Sequence, residues 1–214
     1  MITNMILKMN LEVLVFLTIV IALRDVENKR IIMGADNQAT MGQLCYKGGK
    51  KLFSLDIPIV DGYGDILKFE KLHIGFSGNY WLINYLMYGF DVPLMGNNVD
   101  FVHYLYNDFF VSLGDALSSR MLLPIYDSEL DSESEMLMVF EGKIYHIFSN
   151  FSVMEVVEEF GVGGSGSEVA VGSLSTNLMF GVDDRLEMVR QAVLVCGRNT
   201  IYCDDDVELS IIDL

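Results

Sequence analysis

Apolar residues along the chain fall into two periods. Ile19 to Leu23 and Ile31 to Ala35 are short unbroken apolar runs, with the charged, Asn-containing "RDVENKR" between them. That pattern predicts a hairpin of buried strands. The stretch "GKKLFSLDIPIVDGYGDILKFEKLHIGFSG" continues with short strands broken by Pro58 and paired glycines. Within it residues 56–70, rich in turn formers, read as a loop or an extra hairpin. The period then changes. Trp81 to Tyr88 is apolar at helical spacing. From Asn98 to Leu117, the residues Phe101, Val102, Leu105, Phe109, Leu113 and Leu117 fall roughly on one helical face, with Asn98 as the expected cap. "SELDSESE" reads as a solvated loop, and "MLMVFEGKIYHIFS" as a hairpin across Glu141-Gly142. Two more helices are expected over Glu168 to Met179 and Asp184 to Val195, and "VELSII" closes the chain as a strand.

The order is strands, two helices, strands, two helices, strand. Strands grouped in this way predict antiparallel sheets rather than alternating βαβ units. Two pairs of helices need two sheet faces to cover. The expected fold is therefore α+β, a four-layer αββα sandwich of two antiparallel sheets flanked by helices, in one domain.

Composition narrows the partners. The chain has 214 residues, 51% of them hydrophobic, and a formal net charge of −16. Such a charge repels nucleic acid and anionic membrane surfaces, and no basic tract offsets it. Cys45, Cys196 and Cys203 are odd in number and lack zinc spacing, which fits a reducing cytoplasm better than a disulfide framework. His73, His103 and His146 show no metal-ligand pattern. Near the start, "LEVLVFLTIVIAL" follows Lys8 and raises the question of a signal or anchor. Its uncharged run, Val13 to Leu23, is 11 residues long. A spanning helix needs about 20. Val, Ile and Thr in its second half favour a buried strand.

Candidate chemistry lies in the glycine-containing breaks. "GADNQATMG" places a carboxylate and small residues after a buried strand, and "KGGKKL" sets two lysines beside paired glycines. "GFSGN" breaks an apolar strand, and "GVGGSGSEVAVGSL" is a glycine-serine loop entering a helix. The last lacks the Lys-Ser/Thr ending of a nucleotide-binding P-loop. Taken singly, Asp36 reads rather as a turn cap, Lys51 as a solvated surface lysine and Ser165 as a loop serine.

In order, these segments resemble the proteasome β-subunit family, most closely the HslV-type peptidases. "LTIV" at 17–20 is similar to the mature Thr-Thr-Ile-Val start, and "GADNQATMG" at 34–42 to the following aspartate segment. "YKGGKKL" at 46–52 resembles the lysine segment, one residue shorter. "GFSG" at 75–78 resembles Gly-Phe-Ala-Gly. "GSGSEVAVGSL" at 164–174 and "CGRNTIYCDDDVELSII" at 196–212 resemble the Gly-Ser-Gly turn and the last helix and strand.

The resemblance implies an N-terminal-nucleophile (Ntn) hydrolase fold and a threonine peptidase. Residues 1–17 would be a propeptide-like extension and 18–214 the peptidase domain. The implied residues are Thr18 as nucleophile, Asp36, Lys51 (or Lys50, given the deletion), the Gly78 N–H as oxyanion donor, and Ser165 assisting. A buried lysine would favour loss of the hydroxyl proton, and the aspartate would keep it charged. No cofactor is required. A sodium-like monovalent cation on the carbonyls of Gly197, Thr200 and Cys203 is implied. Arg198 stands where the family usually has an aspartate. The implied partners are unfolded protein substrates, further copies in a homo-oligomeric ring (two stacked hexamers), and a hexameric unfoldase ATPase.

The motif alignment places Leu17 at the catalytic threonine and Thr18 one residue late. Since neighbouring strand residues face opposite ways, a slip of one is expected to turn the apolar pattern inside out. Three readings follow: a peptidase with Thr18 released, a catalytically inactive subunit of the same fold, and a binding protein anchored in a membrane by residues 11–23. The acidic end "CDDDVELSIIDL" reads as a solvated tail.

Overall fold

A computed structural model describes residues 18–41, 44–119, 134–200 and 203–214. The first two apolar runs form the expected hairpin, β1 (Val20–Asp25) with β2 (Arg30–Asp36). Asp25 closes its turn. The carboxylate accepts hydrogen bonds from Asn28 Nδ2 at 2.9 and 3.0 Å and from Arg30 Nε at 2.7 Å. A short hairpin, β3 (Gln38–Met41) with β4 (Leu44–Lys47), follows, and then β5 (Leu52–Val60) and β6 (Ile66–Ser77).

Segment 56–70 is the hairpin alternative rather than the loop. β5 and β6 stay paired out to Val60↔Ile66, and the Asp61 carboxylate caps the turn by accepting from Tyr63 N and Asp65 N. Pro58 does not break β5 because that strand is an edge over most of its length. Its other neighbour, β7 (Met95–Gly96), pairs only at Ile59 and Val60. This β5–β7 contact is parallel, the one departure among the described pairings from the antiparallel expectation.

Helix α1 spans Tyr80–Tyr88. The next helical stretch begins at α2 (Phe101–Tyr104), passes through a π-helical turn (Leu105–Phe109) and ends as α3 (Phe110–Ser119). Asp100, not Asn98, caps it, accepting from Val102 N at 2.9 Å and His103 N at 3.1 Å. Phe101, Leu105, Phe109, Leu113 and Leu117 are all buried. A spacing of four drifts about 40° per step around an α-helix, and the wider π turn absorbs part of that drift.

The chain continues with β8 (Glu135–Phe140), β9 (Lys143–Ile147), β10 (Val153–Val156) and β11 (Phe160–Gly163). The last two have no counterpart in the pattern reading. Helices α4 (Ser167–Met179) and α5 (Arg185–Asn199) and strand β12 (Val207–Asp213) complete the fold.

The strands form a four-stranded sheet, β11-β1-β2-β12, a six-stranded sheet, β10-β9-β8-β6-β5-β7, and the small β3-β4 pair. Three cores define four layers. Ile19, Ile21, Leu23 and Ile32 pack on α4 and α5 through Leu174, Val189 and Val193. Val20, Ala22, Ile31 and Met33 meet Leu137, Val139 and Ile144 between the sheets. Leu72, Ile74, Phe76 and Met138 pack outward on Leu82, Tyr104, Phe109 and Leu113. The αββα sandwich expected from the element order is therefore the fold. β1 is apolar on both faces, as a strand covered on both sides should be.

The acidic C-terminal segment is not a solvated tail. β12 pairs along β2 from Val207↔Asp36 to Asp213↔Arg30, and Asp204 is buried. Among the described residues no helix is long and apolar enough to cross a membrane, and residues 1–17 lie outside that description.

Candidate active site

The β1–β2 hairpin is built so that its open end brings Thr18 to Asp36. Thr18 lies two residues before β1, Asp36 ends β2, and Lys51 directly precedes β5. All three are fully buried. The Thr18 hydroxyl donates to Asp36 Oδ1 and accepts from Lys51 Nζ. Lys51 Nζ also donates to Asp36 Oδ1, at 2.8 Å. Ile19 N donates to the same oxygen at 3.0 Å. The second oxygen, Oδ2, accepts from Gln38 N at 3.2 Å and Asp204 N at 3.3 Å.

The two lysines and the strand register are placed as follows. Lys51 joins the group, while Lys50 is exposed. Thr18 needs no shift of β1 to reach Asp36 and Lys51. The inside-out argument does not apply, since β1 buries apolar residues on both faces. Leu17 lies outside the described residues.

Burial pulls the Lys51 pKa down, and the charge and hydrogen bond of Asp36 act against it, as does the charge of Asp204. Desolvation wins, so the ammonium sits below the ordinary lysine range. The effect is an ammonium in contact with a hydroxyl, with one carboxylate bonded to both.

Ser165 and its neighbours hold the backbone of Thr18. Ser165 Oγ donates to the Thr18 carbonyl at 3.3 Å and Gly166 N at 3.1 Å. Gly164, at φ +97°, is fixed by crowding. A Cβ there would lie 2.4 Å from Thr18 O and 2.7 Å from Ser77 Oγ. Gly78 ends the β6 side of the site at φ +138°, one residue before Asn79, whose side chain caps α1 by accepting from Trp81 N at 2.9 Å.

The three carbonyl residues expected around a cation lie at the C-terminal end of α5 and just beyond it. Thr200 caps α5, with its N–H and hydroxyl both donating to Cys196 O. Gly197 packs against the backbone of Asp204, and Cys203 is buried. Residues 201–202 are not described. A cation fits this corner. Asp204 Oδ2 is buried with no hydrogen-bond partner among the described residues, while Oδ1 accepts from Asn37 N and Asp206 N. A helix C-terminus and an orphan carboxylate oxygen both favour positive charge. No cluster of His, Cys, Asp or Glu with metal-ligand geometry occurs among the described residues. Arg198, in the place of the family's aspartate, is exposed.

Three residues of the site escaped the sequence reading: Asp204, assigned to a solvated tail, and Ser134 and Glu135, assigned to a solvated loop. Asn79 N donates to Ser134 Oγ at 3.3 Å, and Gly164 N donates to Glu135 Oε2 at 3.0 Å. Nothing in their sequence surroundings signals this, because the contacts come from strands distant in the chain.

No known family model and no curated protein matches this sequence. Solved structures do match. Thiobacillus denitrificans BPH in complex with epoxomicin is similar with a TM-score of 0.69 and 18% identity over 92% of this chain and 99% of that one. A second structure of Thiobacillus denitrificans BPH gives a TM-score of 0.68 at 19% identity, over 92% and 98% of the two chains. Eukaryotic HslV from Trypanosoma brucei gives 0.60 at 15% identity, over 92% of this chain and all, 100%, of that one. With nearly the whole of both chains superposed, the sandwich around Thr18, Asp36 and Lys51 is the fold of HslV.

Proposed function

We propose that the chain is a threonine-type endopeptidase subunit of an HslV-like chambered protease, acting on unfolded proteins. The observation that carries this reading is the Thr18 hydroxyl held between Lys51 and Asp36 in a fully buried group. A threonine with only a structural role needs neither a buried lysine nor a carboxylate shared with it.

Cleavage between Leu17 and Thr18 releases the α-amine of Thr18, a group that ordinarily titrates at about pH 8. That amine takes the hydroxyl proton as Oγ1 attacks the substrate carbonyl. Lys51, kept charged by Asp36 and Asp204, stabilises the developing alkoxide. The N–H of Gly78 receives the carbonyl oxygen as it becomes an oxyanion. The amine then passes its proton to the leaving nitrogen, and the C–N bond breaks to leave an ester on Thr18. Water, deprotonated by the same amine, cleaves the ester and returns the hydroxyl. The sodium-like cation would sit at the end of α5 on the Gly197, Thr200 and Cys203 carbonyls, with Asp204 beside it, and would supply fixed positive charge to that corner.

The reading places the chain in the cytoplasm, in a ring of identical copies that encloses the sites, two six-membered rings stacked, fed by a hexameric unfoldase ATPase. Exposed Tyr63, Ile66, Leu67, Phe69 and Phe180 supply the apolar surface that assembly requires.

Intact-mass measurement and N-terminal sequencing of the purified chain test the proposal, together with turnover of an unfolded protein. The expected chain begins at Thr18 and hydrolyses the substrate, and Thr18→Val abolishes turnover. Epoxomicin is expected to raise the melting temperature of wild type and not of Thr18→Val. An uncut chain that assembles without turnover would overturn the peptidase reading in favour of the inactive subunit.

A further inference from the structure

Two consecutive residues, Ser134 and Glu135, touch both turns that flank Thr18. Ser134 lies against Gly78: a Cβ on that glycine would fall 2.6 Å from Ser134 Cα, and Asn79 N donates to Ser134 Oγ at 3.3 Å. Glu135 is paired with Ser77 across β6 and β8, and its side chain reaches the other turn. Its Oε2 accepts from Gly164 N at 3.0 Å and meets His146 Nε2 at 3.3 Å. From Gly164 the path to the nucleophile is short. The next two residues supply both hydrogen bonds to the Thr18 carbonyl, from Ser165 Oγ and Gly166 N.

We propose that Glu135, held by His146, is a positioning residue for Thr18. Its carboxylate fixes the Gly164–Gly166 turn, and through that turn it fixes the backbone of the nucleophile, while Ser134 holds the Gly78 turn opposite. The inference rests on the reading of Thr18 as nucleophile, and extends it to residues that touch neither the hydroxyl nor the lysine.

Several observations favour this over a plain surface ion pair. His146 is largely buried, stacked on Phe148 at a ring-centroid distance of 4.3 Å, so the partner of Glu135 is itself immobilised. The hydrogen bond from His146 holds the Glu135 carboxyl below its usual range, against the opposing effect of burial and with help from Gly164 N–H. Glu135 is thus ionised at neutral pH, and a charged acceptor makes the stronger bond to a backbone N–H. Other bonds meet the carbonyls of this turn, Ser167 N donating to Gly164 O at 3.1 Å and Cys196 Sγ to Gly166 O at 3.3 Å, whereas the Gly164 N–H is taken by Glu135. Gly164 occupies the left-handed region and has no side chain, and both Glu135 Oε2 and His146 Nε2 line the adjacent Gly163. A displacement of the turn by an ångström moves Thr18 by a similar amount, and such misplacement costs turnover steeply.

The test compares Glu135→Ala with Glu135→Gln in the full-length protein, by hydrogen exchange and by kinetics. In Glu135→Ala, amide exchange across residues 160–167 is expected to rise about tenfold while the β8 and β9 amides stay as in wild type. Its kcat falls about tenfold with KM within about twofold. Glu135→Gln keeps a neutral oxygen for Gly164 N–H and restores most of the exchange protection and most of kcat. If Glu135→Ala does not fold, Glu135→Met, which keeps the length and removes the acceptors, takes its place. Unchanged exchange over 160–167 in the Ala or Met variant overturns the proposal, as does a Gln variant no better than Ala. If wild type itself shows no turnover, the nucleophile reading fails, and the exchange comparison still decides whether Glu135 holds the turn.

Discussion

Two buried aspartates sit at opposite ends of the β1–β2 hairpin and solve the same electrostatic problem differently. Asp25, at the closed end, takes its partners from Asn28 and Arg30, within five residues of chain. Asp36, at the open end, gathers donors from Thr18, Ile19, Gln38, Lys51 and Asp204. The first group is a turn closing on itself. Its residues would pair in almost any fold that kept the hairpin. The second group exists only when distant segments have met, and it places an amine, a hydroxyl and a carboxylate out of water where packing alone needs none of them. That surplus of buried polar chemistry distinguishes a site from a satisfied turn.

The largest expected effect separates the two ends by activity. Thr18→Val keeps the shape of the side chain and removes the hydroxyl proposed as the nucleophile. Turnover is expected to fall at least about 10³-fold, against a stability loss of only about 1–3 kcal/mol from the buried hydrogen bonds removed. Asp25→Asn, at the other end, is expected to leave turnover at the wild-type level. Loss of activity in both variants to the same degree would erase the distinction.

Stability should separate them next. Asp36→Asn leaves Lys51 as a buried lysine without its carboxylate, a change worth about 3–5 kcal/mol. In a domain of this size that lowers the melting temperature by about 10 °C. The loss should depend on pH with a definite sign. Burial already sets the Lys51 pKa below 10.5, and the variant lowers it further. The folded state then binds fewer protons than the unfolded one, so the penalty is full below the folded pKa and fades as pH rises toward 10.5. Adding Lys51→Met to Asp36→Asn should recover most of the stability and none of the activity, which urea titration of the double cycle would measure.

Asp25→Asn is expected to cost less, about 1–2 kcal/mol, because Asn28 and Arg30 can turn to solvent. Burial acts most strongly against the Asp25 charge, but the hydrogen bonds of Asn28 and Arg30 together outweigh it and leave the carboxyl below 3.8. A lowered carboxyl pKa stabilises the fold above the unfolded value and loses that contribution as pH falls through the folded one. The difference between wild type and Asp25→Asn should therefore vanish in acid, as thermal melts from about pH 7 down to about pH 2.5 would show.

The two ends were also unequally legible in the sequence. "RDVENKR" between two apolar runs is enough to place Asp25 in a turn, because turn chemistry is local. Asp36, Lys51 and Thr18 carry no local signal beyond nearby glycines. Only the order of several weak motifs pointed to them, and the register of Thr18 stayed open because β1 is apolar on both faces and a slip of one leaves no hydrophobic trace. Asp204 and Glu135 were lost in acidic runs that look solvated. Their burial is decided by β12 pairing with β2 and β8 pairing with β6, which no window of a dozen residues contains. β10 and β11 were missed because "VMEV" and "FGVG" are four residues each and carry a glutamate or glycines that mask the strand period.

The smallest effect concerns the thiols beside Asp36. Cys203 is pushed up to about 12, first by burial and then by the charge of Asp36, and burial pushes Cys196 up to about 11. A thiol whose folded pKa is raised stays protonated while the unfolded chain ionises, so the fold binds more protons and loses stability as pH rises above 9.0. The cost for Cys203 reaches about 1 kcal/mol at about pH 10 and is negligible at about pH 8. The Asp25 end contains no such group and fails in acid instead. Urea titrations between about pH 7 and about pH 10 should therefore show a steeper alkaline decline for wild type than for Cys203→Ser, with Asp25→Asn declining in parallel with wild type. Parallel curves for wild type and Cys203→Ser would mean that the thiol ionises freely in the folded chain, and that the corner around Asp36 is wetter than its packing requires.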